Sequence, residues 1–272
     1  MVHNTGGISP RGVFSDEDLE LRYRRDQLPR DAALARRFLQ AIAAAAQVFV
    51  ISDYVFLGFT RALAAMAFSR LVLGGALLAA AAAARRASSP RAFERHVLAA
   101  LLLLASYIVG VAATRPPTYA GGLIVAVIAV AAIYCVSPLP VALQCVPSLF
   151  LSAGCLAIAV RGSFGGAALV AAFTSFALVN GLGMFASLEL HRSKREMFLA
   201  AVRQSELRGE LETALAEVRT LRGVVPICSH CKMIRDGEGE WHNVEDYVRR
   251  RTHAQFSHGV CPTCVKSHYS AF

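Results

Sequence analysis

Four cysteines near the C-terminal end of the chain fall in two pairs, Cys228-Ser-His-Cys231 and Cys261-Pro-Thr-Cys264. Each pair is a C-x-x-C, and 29 residues separate them. Two such pairs supply four thiolates, the donor set of a closed tetrahedral zinc site. The separation exceeds the roughly 15–20 residues usual between the pairs of a zinc ribbon. One structural Zn2+ per chain is the expected cofactor; iron is served by the same thiolates and is not excluded by spacing. A structural site with four protein ligands has no open position for a water, so metal catalysis is not expected. His230 and His258 flank the pairs and are read as second-layer donors or backup ligands. A redox dithiol of the thioredoxin kind needs a βαβ context that these residues lack. Elsewhere no Ser-His-Asp order, phosphate loop or H-E-x-x-H occurs. The chain is not expected to be an enzyme.

The elements that must carry this module are membrane-like. Over 272 residues, 55% are hydrophobic and 17% charged, with a mean hydropathy of +0.46, which marks a membrane protein. The net charge of +9 lies mostly in residues 38–188, which hold eight arginines against Asp53 and Glu94. The tail 224–272 has six basic and five acidic residues. Four thiolates with Zn2+ would bring it to about −1. That charge balance argues against nucleic acid as a partner.

The expected order is a cytoplasmic N-terminal segment (1–37), a transmembrane domain (38–188), a coiled-coil linker (189–223) and the four-cysteine module (224–272). Residues 1–14 are polar and glycine-rich and are expected to lack fixed structure. Ser15 is the expected N-cap of a short, solvated helix over about 16–27. No signal peptide is expected, because about 37 polar residues precede the first apolar run. Apolar segments follow near 38–58, 62–84, 97–113, 120–136, 141–160 and 165–188. Most reach the ~20 residues of a span; the third and fourth are short. Ser137-Pro138-Leu139-Pro140 breaks the fourth from the fifth.

Arginines 85, 86, 91 and 95 in one loop, and His191-Arg192-Ser-Lys194-Arg195 after the last segment, mark the cytoplasmic side. The opposite loops hold Arg61, Arg115 and Arg161. Six spans with both termini in the cytoplasm satisfy this pattern; five are arguable from length alone. Asp53 and Arg70 fall within ~5 Å of each other in depth on adjacent spans, and each alone is costly there. They are expected to pair, either fixing helix register or forming a ligand- or proton-sensitive site. Gln47, Gln144 and Asn180 read as bonds between helices, and Cys135, Cys145 and Cys155 as small apolar residues.

From Leu190 the apolar period becomes seven. Leu190, Met197, Gln204, Leu211 and Val218 fall on one row, with Leu207 and Leu221 on the other. This seam is expected to pair two copies of the chain in a parallel dimer. Gly223 is the expected end of the coil. In the module, a hairpin around Asp236-Gly237, a helix capped by Asn243 over about 244–252, and a helix opened by Pro262 running to about Tyr269 are expected. The fold class is thus mainly α: a six-helix transmembrane bundle, a dimeric coiled coil and a small α+β zinc module.

The stretch from Leu221 to Tyr269, with both cysteine pairs, Lys232–Asp236, Trp241, Tyr247 and Phe256-Ser-His-Gly259, resembles a C-terminal module of bacterial signalling proteins. In that family it ends chains whose upstream parts are sensor or receiver domains joined by a coiled coil. Met233 stands where a basic residue is usual, and His242 varies the residue after the aromatic. More loosely, the six-segment region with Arg22-Tyr-Arg-Arg-Asp26 and Ser52-Asp-Tyr-Val-Phe56 is similar to the membrane-sensor domains that precede some bacterial nucleotide cyclases. No cyclase signature occurs. The resemblance implies a signal-transduction protein of the bacterial inner membrane, in contact with membrane lipid and with a cytoplasmic signalling protein. A small transporter or channel with a regulatory tail is one alternative, and a thiol-based redox or metal sensor is another.

Overall fold

The computed structural model describes residues 7–10, 12–116, 121–162, 164–220, 226–251 and 255–268. It divides into two units, Met1–Ala201 and Val202–Phe272.

In the first unit, Asp16 caps α1 (Glu17–Val48), its carboxylate accepting the backbone N–H groups of Asp18 and Leu19 at 2.9 and 3.2 Å. Ser15, the expected cap, instead donates its hydroxyl to the Gly7 carbonyl. Asp16 occupies the position from which both N–H groups can be reached, and an ionised carboxylate suits the positive helix end. The expected short helix over 16–27 is therefore not separate. α1 continues through Pro29 into the first apolar segment, because Ala32, Ala35 and Phe38 bury against Phe93 and Val97 and hold the turn together. The segment before it also has fixed structure among its described residues. Ile8 bridges Phe14, and Phe14 is buried against Tyr23 and Phe198.

Phe49 interrupts the helix, and α2 (Val50–Leu57) ends at Gly58. α3 (Arg61–Arg85) is capped by Thr60. α4 (Pro90–Ala113) is capped by Ser89 with proline in its first turn, so it starts seven residues before the expected boundary at 97. α5 (Gly121–Val136) is short, α6 (Val141–Arg161) contains Pro147, and α7 runs from Gly166 to Thr220. Among the described residues, five helices are long and apolar enough to cross a membrane, and α5 is a shorter apolar helix. α1 packs on α3, α3 on α4, and α4 and α5 on α6. α7 joins through Phe176, which is buried with Tyr134 and Leu151. Gly183 lies under the Tyr134 ring, where a Cβ would come within 2.5 Å of Cδ2.

Large apolar side chains also face outward on these helices, among them Leu71, Ile124, Phe173 and Leu182, each more than 60% exposed. Water would not tolerate so continuous an apolar surface, whereas hydrocarbon solvates it. The chain is a mainly α membrane protein.

In the second unit, β1 (Ile234–Arg235) pairs antiparallel with β2 (Trp241–His242), in the register Ile234 to His242. Gly239, at φ +91°, turns the hairpin in a conformation that favours glycine. Asn243 caps α8 (Val244–Arg251) by accepting the Asp246 N–H at 2.7 Å. α9 (Pro262–His268) follows. Gly223, Thr252 and Tyr269, expected at element ends, lie outside the described residues.

Candidate functional site

Four polar constellations stand out, three in the first unit and one in the second. In the apolar region, Asp53 on α2 is fully buried. Arg70 on α3 meets it side-on, Nε donating to Oδ2 at 2.6 Å and Nη2 to Oδ1 at 3.0 Å. The structure thus brings together the two residues whose depths match. The third Arg70 nitrogen donates to the Ala46 carbonyl at 3.0 Å, and its guanidinium lies 5.7–5.8 Å from the Tyr107 and Phe49 rings. Gln47 donates to the carbonyls of Ala43 and Arg70. The site has a member that depth matching misses. Arg115, just past α4, donates Nη2 to Asp53 Oδ1, and its guanidinium stacks 5.0 Å from the Phe56 centroid. Its side chain is only 6% exposed. Counting it as a loop charge hid its role, and the available signal was that Asp53 is the only acid in the spans.

A second constellation joins α1, α4 and α7 at residues that precede or follow the apolar stretches. Glu20 accepts Nε and Nη2 of Arg195 at 3.0 and 2.7 Å, Nε of Arg24 at 2.8 Å, and the Phe14 N–H at 3.0 Å. Arg24 also reaches Glu94 at 3.0 Å. Arg195 is 5% exposed and lies 4.6 Å from the Tyr23 ring centroid. Burial pushes the Glu20 carboxyl up, but hydrogen bonds from Arg195 and Arg24 outweigh it and hold its pKa at about 2. The sequence places Glu20 on a solvated helix and Arg195 among the charges that mark the cytoplasmic side; the two lie 175 positions apart.

A third group of residues bonds α6 and the end of α5 to the part of α7 that precedes Arg195. Asn180 donates to Ser152 Oγ at 2.9 Å and accepts the Tyr134 hydroxyl at 3.2 Å. Gln144 accepts the Ser187 hydroxyl at 2.7 Å and donates to the Ser137 carbonyl. Cys155 is buried among apolar side chains.

In the second unit, Cys228 and Cys231 bracket a tight turn closed by Lys232 N–H to Cys228 O at 3.0 Å and Cys228 N–H to Met233 O at 2.8 Å. Lys232 takes φ +62°, the left-handed conformation that reverses the chain just after the pair. Backbone N–H groups of Cys231 and His230, then the Cys231 side chain, lower the Cys228 thiol pKa. At the other pair, the N–H of Cys264 and then its side chain lower that of Cys261. One thiol of each pair is thus lowered by the N–H groups of its own turn. Among the described residues, no group of three or more His, Cys, Asp or Glu is arranged to hold a metal ion. The structure does not bring Cys228 and Cys231 together with Cys261 and Cys264. His230 is exposed, and His258 Nε2 lies 3.3 Å from Glu245. The hairpin has its own anchor. Asp236 accepts N–H groups from Glu238 and Glu240, and its other oxygen lies 2.6 Å from His242 Nε2. Among the described residues from 226 to 268, Ile234 alone is buried.

Leu190, Met197, Gln204, Leu207 and Leu211 are all exposed on α7. The Val218 side chain and Leu221 lie outside the described residues. Comparison of the chain with protein-family models, curated proteins and solved structures gives no match.

Proposed function

We propose that this chain is a receptor-like signal-transduction protein of the bacterial inner membrane, without catalytic activity. Six helices form its sensor region, with both termini in the cytoplasm and α5 as the shortest span. α7 pairs with the same helix of a second copy along Leu190, Met197, Gln204, Leu207 and Leu211. The C-terminal module presents a docking surface to a cytoplasmic signalling protein.

The observation that carries this reading is the continuity of α7, one helix from Gly166 to Thr220. Its first part is an apolar span and its last part carries the exposed heptad row. A small rotation or shift of the span is therefore transmitted along a rigid element. The Glu20–Arg195 clamp supports the same reading, because it grips α7 just past the apolar stretch.

The module gains its stability from metal in this account. With one buried apolar residue, its described part has too little core to stand alone. One Zn2+ held by Cys228, Cys231, Cys261 and Cys264 supplies a cross-link between the two half-sites. His230 and His258 stay outside the ligand set. The resemblance to the four-cysteine module of sensor and receiver proteins agrees with this assignment.

Photocrosslinking in membranes tests the dimer. A photoreactive residue at Leu207 or Leu211 captures a second copy, whereas one at Gly209, on the opposite side of the heptad, does not. Equal capture at all three positions, or none, would show that the heptad face is not the seam.

A further inference from the structure

Between α1, α3, α4 and α5 lies a cavity of about 270 Å3. Its walls are apolar along most of its length, with Phe38, Leu104 and Ile133 at depth. On α5 it extends from Gly121 to Ile133, twelve residues or about 18 Å. Polar lining is concentrated at one end, where Arg70, Arg115, Tyr107 and Ser52 meet it. That end is the Asp53 constellation. Phe49 and Ile128, 41% and 62% exposed, line the cavity and also face outward, so it can be entered from the hydrocarbon.

The charge at this end does not balance. Asp53 neutralises one arginine, and the only other acid in residues 38–188 is Glu94, which pairs with Arg24. One positive charge is left over. Arg70 uses all three of its nitrogens on Asp53 and Ala46. Arg115 uses only Nη2, and among the described residues its Nε and Nη1 have no hydrogen-bond partner. An arginine side chain 6% exposed, whose charge no second acid balances and whose Nε and Nη1 are left open at the cavity's polar end, is costly in a membrane protein. A register pair needs only Asp53 and Arg70, so a second arginine is unnecessary for that purpose. The N-terminus of α5, whose first two residues are glycines lining the cavity, adds partial positive charge.

We infer that this cavity binds a single-chain amphiphile with an anionic head, of the free fatty acid class. The head completes the coordination of Arg115 and the chain fills the apolar length below it. The volume lies just below the ~300–1,000 Å3 of drug-sized small-molecule sites, which admits one chain and excludes the two of a bilayer phospholipid. A neutral amphiphile leaves Arg115 uncompensated, and a cationic one is repelled. The claim concerns binding alone. It gives the relay proposed above a stimulus but does not depend on it.

The test uses the full chain in nanodiscs of zwitterionic lipid and radiolabelled dodecanoate. Saturable binding at one site per chain is expected, displaced by unlabelled dodecanoate but not by dodecanol or dodecyltrimethylammonium. Arg115→Gln should weaken it by roughly tenfold or more, the loss of one charge-assisted contact. Ala45→Phe, at an exposed position lining the cavity, should abolish it with the ion cluster intact. Gel filtration and unchanged helical content show that each variant is folded. Equal displacement by dodecanol, or full binding in both folded variants, would overturn the anion site. Displacement by phosphatidylglycerol in the disc at matching concentration would overturn the single-chain assignment in favour of a bilayer lipid.

Discussion

Glu20→Gln removes the carboxylate that holds α7 to α1 while keeping the shape of the side chain. Two routes give the size of its effect. A carboxyl held at about 2 rather than 4.5 carries about 3 kcal/mol of interaction favouring its ionised form. Glu20 and Arg195 are 11% and 5% exposed at the side chain, and removing one partner of a buried pair costs roughly 3–5 kcal/mol. The amide can still accept one bond from Arg195, which places the loss near the lower figure. Hydrogen exchange of the full chain in nanodiscs reads it directly. The Phe14 amide donates to Glu20, so its protection should fall by roughly 100-fold. The control is Glu94→Gln, which touches only the more exposed Arg24 and should cost under about 1 kcal/mol. Unchanged exchange at Phe14 in Glu20→Gln, or an equal effect from Glu94→Gln, would refute the clamp.

The same clamp has a pH signature. A carboxyl with a lowered folded-state pKa contributes stability that is complete above its unfolded value, 4.5, and lost as pH falls through about 2. The protection factor at Phe14, corrected for the intrinsic pH dependence of amide exchange, should therefore fall on acidification over that window in the wild type and stay constant in Glu20→Gln. In the module, the His242 contact holds the Asp236 carboxyl below its ordinary 3.8; hairpin amides should lose protection as pH falls below that value, and His242→Ala should weaken the effect. Asp53→Asn and Arg70→Gln should be non-additive by more than about 1 kcal/mol in a double-mutant cycle, because either substitution alone already removes the two-pronged ion pair they share. Gly183→Ala places a methyl against the Tyr134 ring and should destabilise the unit by about 1–3 kcal/mol, read as a lower thermal midpoint.

What the sequence made legible follows from range. Apolar runs located the helices because hydrocarbon demands whole segments of one character. Depth matching found Asp53 and Arg70 because adjacent spans are joined by a short loop that constrains their register. Arg115 escaped it because a residue just past a helix end has no depth until the neighbouring helices are packed. Glu20 and Arg195 escaped for the opposite reason: each sits in a charge-rich segment where many pairings are possible. The run through Pro29 shows tertiary packing overriding a local break, since Ala32 and Ala35 bury against α4 on the far side of the proline. Within the module the local turns were readable from Asp236, Asn243 and Pro262, each of which acts over fewer than five residues. Whether the two cysteine pairs meet depends on contacts across 29 residues of sparse apolar content, and periodicity carries no information at that distance.

Native mass spectrometry of the full chain released from nanodiscs tests the central claim most directly, because it reads subunit number and metal content together. The account predicts a dimer carrying two Zn2+, reduced to a metal-free species by Cys228→Ser with Cys261→Ser. A folded, metal-free monomer would contradict both the seam on α7 and the zinc-held module.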